Sequence, residues 1–123
     1  MKIKVEFVFN VIGPDEDLAT IGECYALYRR EMALDFLPAV GMGISLSALI
    51  MNDDPRADEY SRLYQSVSLR PMSFTIEKIT ILVGARDEQS VLVKAQDIVE
   101  NDLEGFKNLE RLLIDFYDFE RIV

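Results

Sequence analysis

A chain of 123 residues, 50% hydrophobic and 28% charged, has the size and composition of a globular domain and is too apolar to be a disordered tail. Its 13 basic and 22 acidic residues leave a net charge of −9, which opposes binding to nucleic acid or anionic membranes and suits either a basic partner or simply solubility. The absence of histidine and the single cysteine exclude the usual His-based catalytic sites, most zinc sites and Cys-x-x-Cys redox chemistry, so we predict a non-enzyme without metal or cofactor.

The first predicted element is a strand over residues 2–11, in which odd positions are apolar and even positions are mostly charged or polar. We expect a strand here and not a signal peptide, because charges interrupt the apolar residues. Gly13-Pro14 ends the strand, and the acidic run that follows predicts the start of a helix over residues 15–37. Apolar residues recur along this segment at three- and four-residue steps, which is typical of an amphipathic helix. They are Leu18, Ile21, Tyr25, Tyr28, Met32 and Phe36.

The middle of the chain predicts a second strand and a second helix. Residues 44–51 are mainly apolar and indicate a buried strand. Asp54 is a candidate N-cap for a helix over residues 56–67. The apolar stripe of this helix, which we expect to face the core, consists of Tyr60, Leu63, Tyr64 and Val67.

A hairpin is predicted next. Residues 73–83 indicate a long strand whose apolar positions change phase, and a bulge near Glu77-Lys78 would absorb the extra residue. A polar turn follows. Residues 90–96 predict the returning strand, with a helix as the alternative.

The last predicted element is a helix over residues 102–121, with Asn101 and Glu104 as a capping box at its start. The predicted order is therefore β-α-β-α-β-β-α. We expect a single α+β domain over residues 1–123, a two-layer sandwich in which helices cover a four-stranded sheet.

A thioredoxin-like α/β fold without redox cysteines is the alternative. Residues 5–15, which include Gly13-Pro14, resemble the first strand and active-site turn of thioredoxins, and Arg70-Pro71 before a strand resembles their proline. The predicted element order matches that fold as well. Ile12 and Asp15 stand where the two redox cysteines would be, so the resemblance implies the fold without the redox activity.

Three candidate sites have simpler interpretations. Cys24 is predicted in the middle of a helix without a nearby cation, which indicates a structural cysteine and not a nucleophile. Gly41-Met42-Gly43 lacks the remaining residues of a phosphate-binding loop and indicates a turn. The acids within residues 53–59 lack the ligand pattern of an EF-hand loop, so we interpret them as a cap and a solvated helix start.

The acidic residues are concentrated on the three predicted helices and their caps. If these helices cover one face of the sheet, their outer surfaces form an acidic layer, which favours fast, salt-sensitive association with a cationic partner. We therefore predict a set of partner-binding carboxylates. They are Asp53, Asp54, Asp58, Glu59, Asp115, Asp118 and Glu120.

Our leading functional hypothesis is a stoichiometric binding protein that masks a basic partner. Its most concrete version is a bacterial immunity protein or antitoxin-type inhibitor of a toxin, located in the reducing cytoplasm that a lone cysteine suggests. One alternative is a phage-type inhibitor that mimics nucleic acid to block a defence complex. Another is a structural or adaptor subunit that self-associates, for example as a homodimer, through apolar residues outside the main stripes. These residues are Leu34, Leu37, Ile114 and Tyr117.

Overall fold

The computed structural model describes residues 2–14, 23–50, 53–67 and 72–123, with only the backbone described at residues 23 and 24. In chain order the elements are β1 (Ile3–Pro14), β2 (Glu23–Leu34), β3 (Gly43–Ser45), α1 (Ala57–Ser66), β4 (Ser73–Val83), β5 (Gln89–Ala95), β6 (Ile98–Val99), α2 (Leu103–Phe116) and β7 (Glu120–Arg121). The protein is α+β, but the described residues form a seven-stranded sheet with two helices. The predicted four-stranded sheet and the predicted element order are therefore wrong.

The strands form one mixed sheet in the order β3-β4-β5-β1-β2-β7. β1 and β2 are antiparallel along their whole lengths. β5 and β6 are both parallel to β1, and they pair with its first and second halves respectively. β4 is antiparallel to β5 and carries the short β3 on its other side.

The centre of the core is formed by β1. The odd-numbered residues from Val5 to Val11 are at most 1% exposed, as the alternating pattern predicted. The ring of Phe9 lies 4.7 Å from that of Phe74 on β4 and 5.2 Å from that of Phe119, which follows α2. α2 packs on this face of the sheet and α1 packs against α2, so the even-numbered residues of β1 lie on the opposite face and remain partly exposed.

The helix predicted over residues 15–37 is wrong, because residues 23–34 form β2; residues 15–22 lie outside the described part of the chain. The three- and four-residue spacing of the apolar residues in this segment is compatible with a helix. In the structure, however, burial alternates from residue to residue as in a strand: Ala26 and Tyr28 are buried, whereas Tyr25 is 58% exposed. β1 requires a partner strand for its backbone hydrogen bonds, and a ladder over twelve residues outweighs a weak local helix preference.

The thioredoxin-like alternative is wrong for the same reason. That fold begins with a strand, a crossover helix and a parallel strand, whereas here β1 is followed by the antiparallel β2. Arg70-Pro71 lies outside the described residues.

The hairpin of β4 and β5 and the helix α1 were predicted correctly. The ladder between β4 and β5 shifts register between Ile76 and Lys78, where the change of apolar phase predicted a bulge. The predicted strand over residues 44–51 is reduced to β3, because after Leu46 donates a backbone hydrogen bond to Met72 O (2.8 Å) the chain leaves the edge of β4.

Both helix starts differ in detail from the sequence prediction. The N-cap of α1 is Arg56, and the Asp54 side chain instead accepts a hydrogen bond from the backbone N–H of Arg56 (2.8 Å). The N-cap of α2 is Asp102, whose Oδ1 accepts from Gly105 N (2.6 Å), so the predicted capping box at Asn101 is displaced by one residue.

The last helix is shorter than predicted. α2 ends at Phe116, and Asp118 takes a left-handed backbone conformation (φ 61°) that lets Phe119 N donate to Leu113 O (2.9 Å). Residues 120–121 then form β7 beside β2 instead of extending the helix. Neither α1 nor α2 has the length and apolar character needed to cross a membrane, and the rest of the described chain adds no such helix.

Candidate functional site

The start of α1 and the end of α2 meet at one corner of the helical layer, where carboxylates from both helices come together. Negative charge is favourable at the start of α1, because the free N–H groups there carry partial positive charge. We define the acidic corner by the carboxylates that this arrangement groups. They are Asp53, Asp54, Asp58, Glu59 and Asp115.

Arg111 joins the two helices at this corner. Its Nη2 forms an ion pair with Glu59 of α1, and its Nε lies 3.7 Å from Asp115 Oδ2, one turn further along α2. Glu59 and Asp115 are therefore held on either side of one guanidinium.

Arg56 ties the chain before α1 to the end of α2. Its Nη2 lies 3.2 Å from Asp54 Oδ2, its Nη1 donates to Asp115 O (3.2 Å), and its guanidinium lies 4.9 Å from the centre of the Phe116 ring. The side-chain and backbone hydrogen bonds that Arg56 donates lower the pKa of Asp54. Asp54 therefore makes an internal contact with Arg56, although the sequence placed it both at the predicted helix cap and in the predicted partner-binding set.

The carboxylates of Asp53 and Asp58 are exposed, and no ion pair with another described residue involves them. With five acids against Arg56 and Arg111, the corner keeps an excess of negative charge. Asp118 is also exposed, but no contact between described residues places it within the corner.

Glu120 lies elsewhere, on the face of the sheet opposite the helices. It is next to Arg29 in the ladder of β2 and β7, and its Oε1 accepts from Arg29 Nη1 (2.5 Å). Arg29 Nε also donates to Glu6 Oε1 on β1 (2.7 Å), and these bonds raise the pKa of Arg29. The expected single acidic layer is therefore incorrect, because one predicted binding residue belongs to a charge network on the other face.

A pair of tyrosines supports the corner from the core side. Tyr60 Oη and Tyr117 Oη are 2.6 Å apart, and Tyr60 packs against Phe116 with ring centres at 5.3 Å. Burial and the hydrogen bond with Tyr60 raise the pKa of Tyr117. Arg30 Nη1 donates to Tyr117 O (3.1 Å), which satisfies a carbonyl just beyond the end of α2.

The remaining candidate features are a metal site, the turn at Gly41 and the cysteine Cys24. Among the described residues there is no group of three or more Cys, Asp or Glu side chains that could hold a metal ion. Gly41 has a positive φ (90°) and Met42 N donates to Ala39 O (3.1 Å), so the predicted turn forms around Gly41, whereas Gly43 is the first residue of β3. The side chain of Cys24 lies outside the described residues; its backbone is in β2, opposite Gly13, and not in a helix.

The apolar residues proposed for self-association do not form one surface. Tyr117 is 2% exposed and Leu34 packs against the core, whereas Leu37 and Ile114 are 53% and 43% exposed. The sequence reasoning missed the arginines that organise the charged groups: Arg29, Arg56 and Arg111. Several of their contacts join residues far apart in the chain, such as Glu59–Arg111, Arg29–Glu6 and Arg29–Glu120, and so leave no signal in the local sequence.

No family model matches this chain, and neither a curated protein nor a solved structure shows significant similarity to it.

Proposed function

We propose that this protein is a non-catalytic binding protein that masks a basic protein partner through its acidic corner. Its most concrete form is a bacterial immunity or antitoxin-type inhibitor that acts in the cytoplasm on a toxin. The observation that carries the proposal is the contact of Arg111 with both Glu59 and Asp115, because it holds acids of two helices at one place with an excess of negative charge.

The corner has two kinds of carboxylate, and each contributes differently to binding. Asp54, Glu59 and Asp115 are oriented by arginines, so little side-chain entropy is lost when a partner approaches them. Asp53 and Asp58 are exposed and available for direct ion pairs with lysine or arginine. A groove that normally binds phosphate groups presents such cations, and the acidic corner would occupy it.

The test begins with affinity purification of the partner from the native host, followed by calorimetric titration of the purified pair at several salt concentrations. We expect affinity to fall as salt rises, because exposed charge pairs are screened. The double variant Asp53→Asn/Asp58→Asn should weaken binding by about 1–2 kcal/mol, which is roughly five- to thirtyfold.

The matched control is Asp35→Asn/Glu104→Gln, which changes the net charge equally at exposed positions outside the corner. This control should bind within about twofold of the wild type once long-range charge is screened. Equal losses in both double variants, or a complex insensitive to salt, would contradict the acidic corner as the binding surface.

A further inference from the structure

The outer edge of β4 is covered only along its first part. β3 pairs with Ser73–Thr75, and the loop before it reaches one residue further, where Gly41 N donates to Ile76 O (2.8 Å) and Ile76 N donates to Met42 O (2.9 Å). Beyond Ile76, no strand of the described chain pairs with this side of β4. Among the described residues, the segment from Lys78 to Val83 is therefore a free edge.

The direction of the backbone groups on this edge follows from the hairpin. Gly84 N donates to Glu88 O (2.8 Å), and in an antiparallel ladder every second residue pair exchanges hydrogen bonds. Leu82 and Thr80 therefore bond towards β5. The N–H and C=O groups of the alternate residues point outwards; these residues are Ile79, Ile81 and Val83.

The free edge is also mainly apolar from Ile79 to Val83, where Thr80 is the one polar residue. Ile81, Leu82 and Val83 are 51%, 51% and 61% exposed. Natural edge strands are usually protected by charges, proline or a covering segment, and the stretch from Ile79 to Val83 has no charged residue or proline. Such an edge is suited to receive another strand.

We propose that this edge pairs with the same edge of a second copy of the chain, antiparallel and centred on Ile81, so that the two sheets become continuous. In this register Ile81 lies opposite Ile81 of the second copy, and Ile79 lies opposite Val83. All of the outward-pointing backbone groups then find partners, and each of these pairs exchanges both of its N–H···O bonds. The side chains that meet on the helix-bearing face are all β-branched and apolar.

Charge complementarity supports the same register. It places Lys78, which has no ion pair with a described residue, opposite Gly84 of the second copy. The space beside Gly84 is occupied by the Glu88 carboxylate, which would overlap a Cβ at that position and which accepts from Arg86 N (2.9 Å). Lys78 of each copy therefore meets Glu88 of the other, and the two-fold symmetry repeats this contact.

The first test is a pair of cysteine variants in the Cys24→Ser background, with mild oxidation and mass spectrometry as the readout. Ile81→Cys should cross-link as a dimer, because the two positions face each other at a Cα separation of about 5.5 Å, within disulfide range. Leu82→Cys is the matched control: it is equally exposed, but in this register it faces Thr80 and should not cross-link. Equal cross-linking of both variants would overturn the register.

The second test is a charge exchange followed by analytical ultracentrifugation of the full chain. Lys78→Glu and Glu88→Lys should each raise the dimer dissociation constant by about tenfold, because each places like charges opposite one another. The double variant should return the constant to within about threefold of the wild type. A wild-type chain that stays monomeric up to about 1 mM, or a double variant weaker than both single variants, would overturn the proposal.

Discussion

The hydroxyl oxygens of Tyr60 and Tyr117 lie 2.6 Å apart and connect α1 to the residue that follows α2. Tyr117 is 2% exposed, whereas Tyr60 is only partly buried. The two partners of this bond therefore differ in their access to water, and removing one hydroxyl is not equivalent to removing the other.

We predict that Tyr60→Phe lowers the free energy of unfolding by about 1–3 kcal/mol, because the Tyr117 hydroxyl is left buried without this partner. Tyr117→Phe should cost about 1 kcal/mol or less, since Tyr60 is only partly buried and the loss of its partner is less costly. The double variant should cost less than the sum of the two. Urea denaturation of all four proteins measures this coupling, and strictly additive costs would show that the bond is not formed in solution.

The ring of Phe106 packs directly on the backbone of Gly13. A Cβ at Gly13 would overlap the ring and would lie 2.8 Å from its Cγ. Gly13→Ala should therefore destabilise the protein by about 1–3 kcal/mol through overpacking between β1 and α2. The control is Gly43→Ala, where the nearest atom is Phe74 O at 3.9 Å; its thermal midpoint should stay close to that of the wild type.

The N-cap of α2 is Asp102 in the structure, whereas the sequence pattern favoured Asn101, and substitutions at the two positions distinguish these assignments. Asp102→Ala removes the bond from Gly105 N to Oδ1 and should cost about 1 kcal/mol. Asn101→Ala changes the residue that the sequence pattern favoured, and it should have a smaller effect because Asn101 is exposed and precedes the cap. A larger loss of unfolding free energy for Asn101→Ala than for Asp102→Ala, measured by chemical denaturation, would contradict the assignment of Asp102 as the N-cap.

Asp54 predicts a pH dependence at the acidic corner. Its folded-state pKa is lowered by the hydrogen bonds from Arg56, so its contribution to stability is complete above the unfolded-state pKa of about 4. That contribution is lost as pH falls below about 4 and through the lower folded-state value. Asp54→Asn should therefore show a shallower loss of stability with acid than the wild type, while equal slopes below about pH 4 would contradict the pairing.

The sequence predicted well those elements whose signal is local and repeated. β1 alternates without interruption, α1 has an apolar stripe, and the phase change in β4 marks the bulge that the ladder contains between Ile76 and Lys78. Each of these patterns follows from the geometry of one strand or helix. The element can therefore be predicted from such a pattern without knowing which other element it packs against.

The segment that forms β2 shows where prediction from local sequence fails. Residues 23–34 have spacing compatible with a helix, and only the ladder with β1 makes them a strand. Because a helix satisfies its backbone bonds within itself and a strand needs a neighbour, this choice depends on contacts between distant residues. This one wrong element removed the thioredoxin-like alternative and added one strand to the predicted four, and the short strands β6 and β7 added the other two.

The charged surface also has some features that follow from the sequence and others that follow only from the fold. The sequence by itself determined the excess of acid, the lack of histidine and the group of acids near the start of α1. Only the tertiary structure decided that Arg111 joins Glu59 to Asp115 and that Glu120 lies with Arg29 on the opposite face. Composition is a sum over residues, whereas a surface depends on which side of the sheet each residue faces, and that is fixed only when the strands pair.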